Sequence, residues 1–325
     1  MKLYQKIKTL FRYFLFPVYV HKSFLSIRKV ESYIYKDQQR TFLLKNAVIV
    51  RMAGGLTNQM ICYMAGRFLA DIKNATLIID TTFYTNTEEG QTNRNLQLTN
   101  YEIQYDIIIS DFETLSFIKN QNNITTYDKG KLKLLNNDVE NIKNEVLLHE
   151  CVEINIWSSL DIREAATDYS MNNGIFEELT LDFKTYFKNK DYEFLNQIKN
   201  IDNPVAIHVR RGDFLTNEGG QSVTLDFFLD AINEIESKLL RGEFFVFSDD
   251  IDWCKKYLNS KFPMYFADFN DDQNGFKDMY LASQCHHFIL TQASTFGHQI
   301  VLLNKEHEDR IIIRSSENDK LRNQH

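Results

Sequence analysis

Pro204-Val-Ala-Ile-His-Val-Arg-Arg-Gly-Asp213 is the stretch on which the reading of this chain turns. Its first six residues form a short apolar run, opened by a proline at the one strand position that loses no ladder hydrogen bond. Residues 204–209 therefore read as a strand buried on both faces, the kind found in parallel sheets. Two arginines follow at once, in a chain that has thirteen arginines against twenty-four lysines. In open α/β sheets ligands bind beyond the carboxyl ends of the strands. The planar guanidinium grips phosphate oxygens two at a time, as an ammonium cannot. Arg210 and Arg211 are thus candidates for holding an anion such as a diphosphate. The competing reading is a surface arginine pair held by Asp213, with His208 a partly buried side chain.

Downstream of this stretch, strands and helices alternate. Thr224–Leu240 carries Leu225, Phe228, Leu229, Ile232, Ile235 and Leu239 at helical spacing, and Phe244–Phe247 is an apolar strand. Asp252–Leu258 predicts a helix, Met264–Phe266 a strand, Phe276–Cys285 a helix, His287–Leu290 a strand, Phe296–Leu303 a helix and Ile311–Ile313 a last strand. Upstream, Ala47–Met52 is a strand, Gly54-Gly55 a tight turn, Asn58–Ala70 a helix and Thr76–Asp80 a strand. Residues 81–202 are rich in Asn, Lys and Asp and read as the rest of a first domain with long loops. The pattern predicts an α/β protein with two Rossmann-like domains facing across a cleft. The expected divisions are 1–46, a basic extension; 47–200, an N-terminal domain on the acceptor side; and 201–325, a C-terminal domain binding the donor.

The chain has 325 residues, 43% of them apolar and 25% charged, which excludes disorder and allows two cores. Its net charge of −7 argues against nucleic-acid binding. That sum hides an asymmetry: residues 1–46 hold ten Lys/Arg against Glu31 and Asp37. Their apolar stretch, Tyr13–Val20, is broken by Pro17 and is too short to span a bilayer. The extension could lie on an anionic membrane surface or pack on the body of the protein, and both readings stand. The four cysteines are far apart, which favours reduced thiols in a cytoplasmic protein and gives no zinc spacing.

Three further segments lie at strand ends. Gly54-Gly-Leu-Thr-Asn-Gln59 puts glycines ahead of a helix N-terminus, where an anion is favoured, although Asn58 could simply cap the helix. Phe247-Ser-Asp-Asp-Ile-Asp252 offers Ser248, Asp249 and Asp250 to a ribose, a base or a sugar, or else Ser248 or Asp249 is the cap of the next helix. Gln292-Ala-Ser-Thr-Phe-Gly297 brings hydroxyls to the start of another helix. None of these is a GxGxxG or a Walker motif, so a dinucleotide or ATP reading lacks its fingerprint.

In this order the segments resemble the inverting α-1,2-fucosyltransferases of glycosyltransferase family 11. The residues that carry the resemblance are Gly54-Gly-Leu-Thr-Asn-Gln-Met60, His208-Val-Arg-Arg-Gly-Asp213, Phe247-Ser-Asp-Asp250, Asp278-Met-Tyr-Leu-Ala-Ser-Gln-Cys285 and Ser294-Thr-Phe296. The resemblance covers about 47–303 and implies a GT-B fold, GDP-β-L-fucose as donor and no required metal or other cofactor. It implies transfer, with inversion, to the 2-hydroxyl of a galactose-type residue, as on an O-antigen or capsule precursor. Arg210, Asp213 and Asn58 would be catalytic, Arg210 on the β-phosphate and Asp213 holding the arginine fork. His208, Arg211, Gly55, Ser248, Asp249, Asp250, Ser294, Thr295 and Phe296 would bind the donor. The acceptor would be a glycan ending in galactose or a related sugar, and Glu218 is a candidate base. One departure stands out: many bacterial members continue the late segment with a Trp-Trp pair, where this chain has Gly297-His298. The alternatives are transfer of another nucleotide sugar, or a nucleotide- or glycan-binding protein without catalysis.

Overall fold

The computed structural model describes residues 18–19, 44–85, 95–127, 138–155, 163–175, 179, 181, 183–216, 222–292, 294–304 and 309–319. The chain divides into two units, Met1–Leu179 and Thr180–His325, each built on its own mostly parallel sheet. Two Rossmann-like α/β units are the make-up of a GT-B protein, in line with the fold class expected from sequence. The division falls earlier than the expected 200/201. The reason is the helix Asn189–Lys199, whose Phe194 meets Phe245 and Phe247 edge-on within the second unit.

In the first unit the strands are β1 (Val18–Tyr19), β2 (Ala47–Arg51), β3 (Thr76–Asp80), β4 (Ile107–Ile109), β5 (Ile124–Tyr127) and β6 (Cys151–Ile154). Their order across the sheet is β1-β4-β3-β2-β6-β5. The central strand β2 buries Ala47, Val48, Ile49 and Val50 completely, as an apolar run with no alternation requires. Helices α1 (Leu56–Lys73), α2 (Phe112–Gln121), α3 (Val139–Leu147) and α4 (Arg163–Asn172) accompany the sheet. From β2 the order runs one way to β3 and β4 and the other way to β6, so the switch point lies between β2 and β6. β1 pairs antiparallel with Ile108 and Ile109, which places this one piece of the basic extension on the sheet edge. The rest of 1–43 lies outside the described residues.

The second unit holds α5 (Asn189–Lys199), β7 (Pro204–Val209), α6 (Gly212–Thr216), α7 (Leu225–Lys238), β8 (Glu243–Ser248) and α8 (Ile251–Tyr257). It continues through β9 (Met264–Phe266), α9 (Gly275–Ser283), β10 (His287–Leu290), α10 (Thr295–Leu303) and β11 (Ile312–Arg314). All neighbours are parallel, in the order β11-β10-β7-β8-β9. β7 is central and every one of its residues is buried. On one face of the sheet Val205, Ile207, Phe244, Val246 and Ile289 meet Phe228, Ile232 and Ile235 of α7 in a single core. α5 is tied to α9 by a buried ion pair, Lys277 Nζ to Asp191 Oδ2 at 3.1 Å. The switch point of this sheet lies between β7 and β10.

All four cysteines are buried and none is disulfide-bonded. Among the described residues no helix is long and apolar enough to cross a membrane, and no group of three His, Cys, Asp or Glu could hold a metal ion.

Candidate functional site

The switch point of the second sheet gathers most of the residues singled out from sequence. β7 ends at Val209, opposite Ser248 of β8, so Arg210 and Arg211 leave the sheet beside Asp249 and Asp250. Arg210 Nη1 lies 3.0 Å from Asp249 Oδ2, and Arg211 Nε 3.1 Å from Asp250 Oδ2. Asp249 Oδ1 also accepts the Arg211 backbone N–H at 2.8 Å. One aspartate thus fixes the chain between the two arginines as well as one guanidinium.

The pair is not symmetric. The Arg211 guanidinium lies over the Trp253 ring at 3.9 Å, a cation–π contact that locks it against α8. Its side chain is 13% exposed, against 24% for Arg210. Arg211 is therefore largely a fixture of the scaffold, and Arg210 is the more open guanidinium at the crevice.

Expectations for the carboxylates change accordingly. Asp249 and Asp250 each hold one arginine, the part that the resemblance implies for Asp213. Asp213 lies in α6, and its side chain is outside the described residues, as is the whole of Glu218. The cap of α8 is neither Ser248 nor Asp249. It is Asp250, whose Oδ1 accepts from Trp253 N–H at 3.2 Å, while Ser248 Oγ accepts from Asp250 N–H at 2.9 Å. Gly212 is needed here for space: a Cβ on it would sit 2.6 Å from Asp249 Oδ2.

His208 is buried and cannot act as a second cation. Burial, and then the neighbouring charge of Arg210, push its pKa down to about 3, so the ring is neutral at ordinary pH. It stacks on Phe296, with centroids 5.1 Å apart and a 20° tilt, and among the described residues its Nδ1 has no hydrogen-bond partner. Thr291 ties β7 to β10 at this point: its Oγ1 donates to the His208 carbonyl at 3.2 Å and receives the Arg210 N–H at 3.4 Å.

Beyond β10, Ser294 stands at the N-cap of α10, yet its side chain makes no capping hydrogen bond, and the first turn holds no acidic residue. The first turn of α10 thus follows β10 with neither a side-chain cap nor an acid of its own to offset the positive end of the helix dipole. One further acid of this unit sits in an unusual environment. Asp278, in the first turn of α9, accepts from Asn270 Nδ2 at 2.7 Å, and desolvation raises its pKa to about 7.

Gly55 and Asn58 belong to the first unit's switch point. The turn after β2 has Gly54 at φ 74, a left-handed conformation that favours glycine. α1 starts at Leu56 with Gly55 as its N-cap, so Asn58 is not the cap but a half-buried residue of the first turn. The turn is fastened by Gln59. Its Nε2 donates to the Gly54 and Asn95 carbonyls at 3.1 and 2.8 Å, and its Oε1 accepts from Gln97 and Leu98 N–H, both at 2.9 Å.

Known proteins share this sequence pattern. The chain is 28% identical over 266 residues to an α-1,2-colitosyltransferase of Escherichia coli, covering 76% of this chain and 84% of that one. It is 24% identical over 290 residues to the O-antigen biosynthesis glycosyltransferase WbnK of Escherichia coli, covering 81% and 91%. Among solved structures, the α-1,6-fucosyltransferase NodZ soaked with GDP-fucose aligns with a TM-score of 0.49 at 14% identity, over 85% of this chain and 97% of that one. The profile of glycosyl transferase family 11 matches residues 47–324, from the first residue of β2 through the last described strand, and the chain belongs to that family and is a glycosyltransferase.

Proposed function

We propose that the chain moves L-fucose from GDP-β-L-fucose to the 2-hydroxyl of a galactose-type residue on an O-antigen or capsule precursor, with inversion at the sugar. The observation that carries this reading is Arg210, held by Asp249 at 3.0 Å where β7 ends, with the uncapped N-terminus of α10 across the same switch point. As the bond from the anomeric carbon to the phosphate oxygen breaks, negative charge grows on the departing GDP. A guanidinium already placed by its aspartate neutralises that charge without having to reorganise, and the N–H groups of α10 add to it. This arrangement supplies the role a metal plays in other transferases, so the reaction proceeds without one.

Asn58 has a catalytic part in this proposal, the one the resemblance implies for it. The acceptor hydroxyl gives its proton to a carboxylate, for which Glu218 is the candidate. The enzyme works in the cytoplasm, where GDP-sugars and lipid-linked glycan precursors meet, and residues 1–46 draw it to the anionic membrane surface.

The α-1,2-colitosyltransferase relative favours a second reading, in which the donor is GDP-colitose. Colitose is fucose without its 3-hydroxyl, so the two donors test one hydroxyl group.

Purified protein incubated with GDP-fucose or GDP-colitose and a set of β-galactosides, with and without EDTA, tests both. Fucosylated product that withstands chelation and falls at least about a hundredfold in Arg210→Ala supports the proposal. Turnover of GDP-colitose alone moves the donor to the second reading. Consumption of UDP-sugars in place of either, or tight GDP binding with no product on any acceptor, overturns both.

A further inference from the structure

Arg314 is the last residue of β11 and lies opposite Leu290 of β10 in a parallel register. It leaves the sheet at the same edge as Arg210, two strands away. Its backbone is joined to the turn that opens α10: Ser315 N–H donates to the Leu290 carbonyl at 3.1 Å, and Ser315 Oγ accepts from Gln292 N–H at 2.9 Å. The side chain is half-buried, and its Nη1 stands 3.3 Å from Nδ1 of His298, one turn into α10.

The electrostatics differ from those of the arginine pair. Arg210 and Arg211 each have a carboxylate within 3.1 Å. Among the described residues Arg314 forms no ion pair with an acid. Burial, and then the like charge of Arg310, disfavour its charged form. A half-buried guanidinium beside another arginine, with an imidazole nitrogen and no carboxylate against it among the described residues, leaves positive charge uncompensated. The open N-terminus of α10 adds to the same excess. An arriving anion would relieve it.

We infer that Arg314 is a second binding residue for the donor's diphosphate, reaching it from the side of α10 opposite to Arg210, and that His298 is the positioning residue that aims it. The inference rests on the nucleotide-sugar reading above and deepens it: the diphosphate is held from two strands, β7 and β11, with the N-terminus of α10 between. The His298 Nδ1 lone pair accepts one guanidinium N–H, which leaves the other N–H groups for phosphate oxygens.

The test measures the affinity of the full chain for GDP and for guanosine by calorimetry in Arg314→Gln, Arg314→Lys, His298→Ala, His298→Asn and Arg210→Ala, with melting curves to confirm folding. Arg314→Gln should weaken GDP about tenfold and leave guanosine unchanged, with inorganic pyrophosphate losing its ability to compete with GDP. Arg314→Lys, which keeps the charge but not the fork, should fall between and provides the measurement if Arg314→Gln does not fold. His298→Ala should weaken GDP about threefold, and His298→Asn, whose amide oxygen can stand in for Nδ1, should restore it.

Unchanged GDP affinity in Arg314→Gln, alongside loss in Arg210→Ala, overturns this inference and leaves the nucleotide reading intact. A rise in KM confined to acceptors that carry a carboxylate also overturns it, because the anion then belongs to the acceptor. Failure of the unaltered protein to bind GDP at all removes the underlying reading, and this inference with it.

Discussion

The two sheets have the same plan and opposite chemistry at their switch points. In the first unit the turn after β2 is a neutral, fully bonded device. Gln59 fills four hydrogen bonds, and the Tyr84 hydroxyl donates to the Gly54 carbonyl at 2.9 Å. Its charged residues are Arg51 and Asp80, opposite one another in the strand register. Asp80 is wholly buried and accepts from both the backbone N–H and the hydroxyl of Thr82. In the second unit the same place holds Arg210, Arg211, Asp249 and Asp250, with Arg314 at the end of β11. Topology alone thus supplies a crevice, and the side chains decide whether it is a shaped wall or an anion site. The first switch point reads as shape, and the second as charge.

That contrast can be broken, most strongly at Gly212. Gly212→Ala adds no charge and removes none, but its Cβ must displace Asp249 from Arg210 and from the Arg211 backbone. Transferase activity is expected to drop about a hundredfold, because a small misplacement of a charge-stabilising group is costly. Melting should change little. Activity within a few-fold of the unaltered protein would show that the Asp249 clamp does not set Arg210.

Gln59→Ala probes the other side. It strands two carbonyls and two N–H groups in a buried turn, and stability should fall by about 2–3 kcal/mol. GDP affinity should be unchanged, since the second unit carries the anion site. Equal losses of GDP affinity and stability would erase the distinction between the two switch points.

The smallest expected effect comes from Asp278. Its folded pKa, about 7, lies above its ordinary value, so the folded protein holds a proton that the unfolded chain has released between about pH 4 and 7. Stability is therefore lost as pH rises through that window. Asp278→Asn keeps an oxygen for Asn270 and removes the charge. It should raise the melting temperature at pH 8 by roughly 2–4 °C, about 1 kcal/mol, and leave it unchanged near pH 4. A melting temperature that falls by the same amount at both pH values would show that the ionised carboxylate is not what limits stability there.

Much of this was legible in the residues. Apolar runs without alternation mark β2, β7, β8 and β10, and α7, α8, α9 and α10 follow their apolar spacing to within a few residues, whereas α5 and α6 do not stand out in the sequence. Arg210, Arg211, Asp249, Asp250 and Ser294 stood out because each closes a strand or opens a helix. The partners did not stand out. Asp249, whose carboxylate lies 3.0 Å from Arg210, is 39 residues further on, brought there by the pairing of Val209 with Ser248. Thr291, Trp253 and Gly212 were missed for the same reason, as each matters only through a neighbour far away in sequence. Arg314 was overlooked because a lone arginine on a short final strand carries no motif.

The sequence by itself determined the alternation of strands and helices, the two-unit α/β class and the identity of the segments at the strand ends, because periodicity and turn chemistry are local. The tertiary structure decided where the second unit begins, which carboxylate holds which arginine, and that His208 is neutral. It also decided that Arg314 is left with no acid among the described residues. Each of these depends on burial and on strand register, and both arise only when residues far apart along the chain are packed side by side.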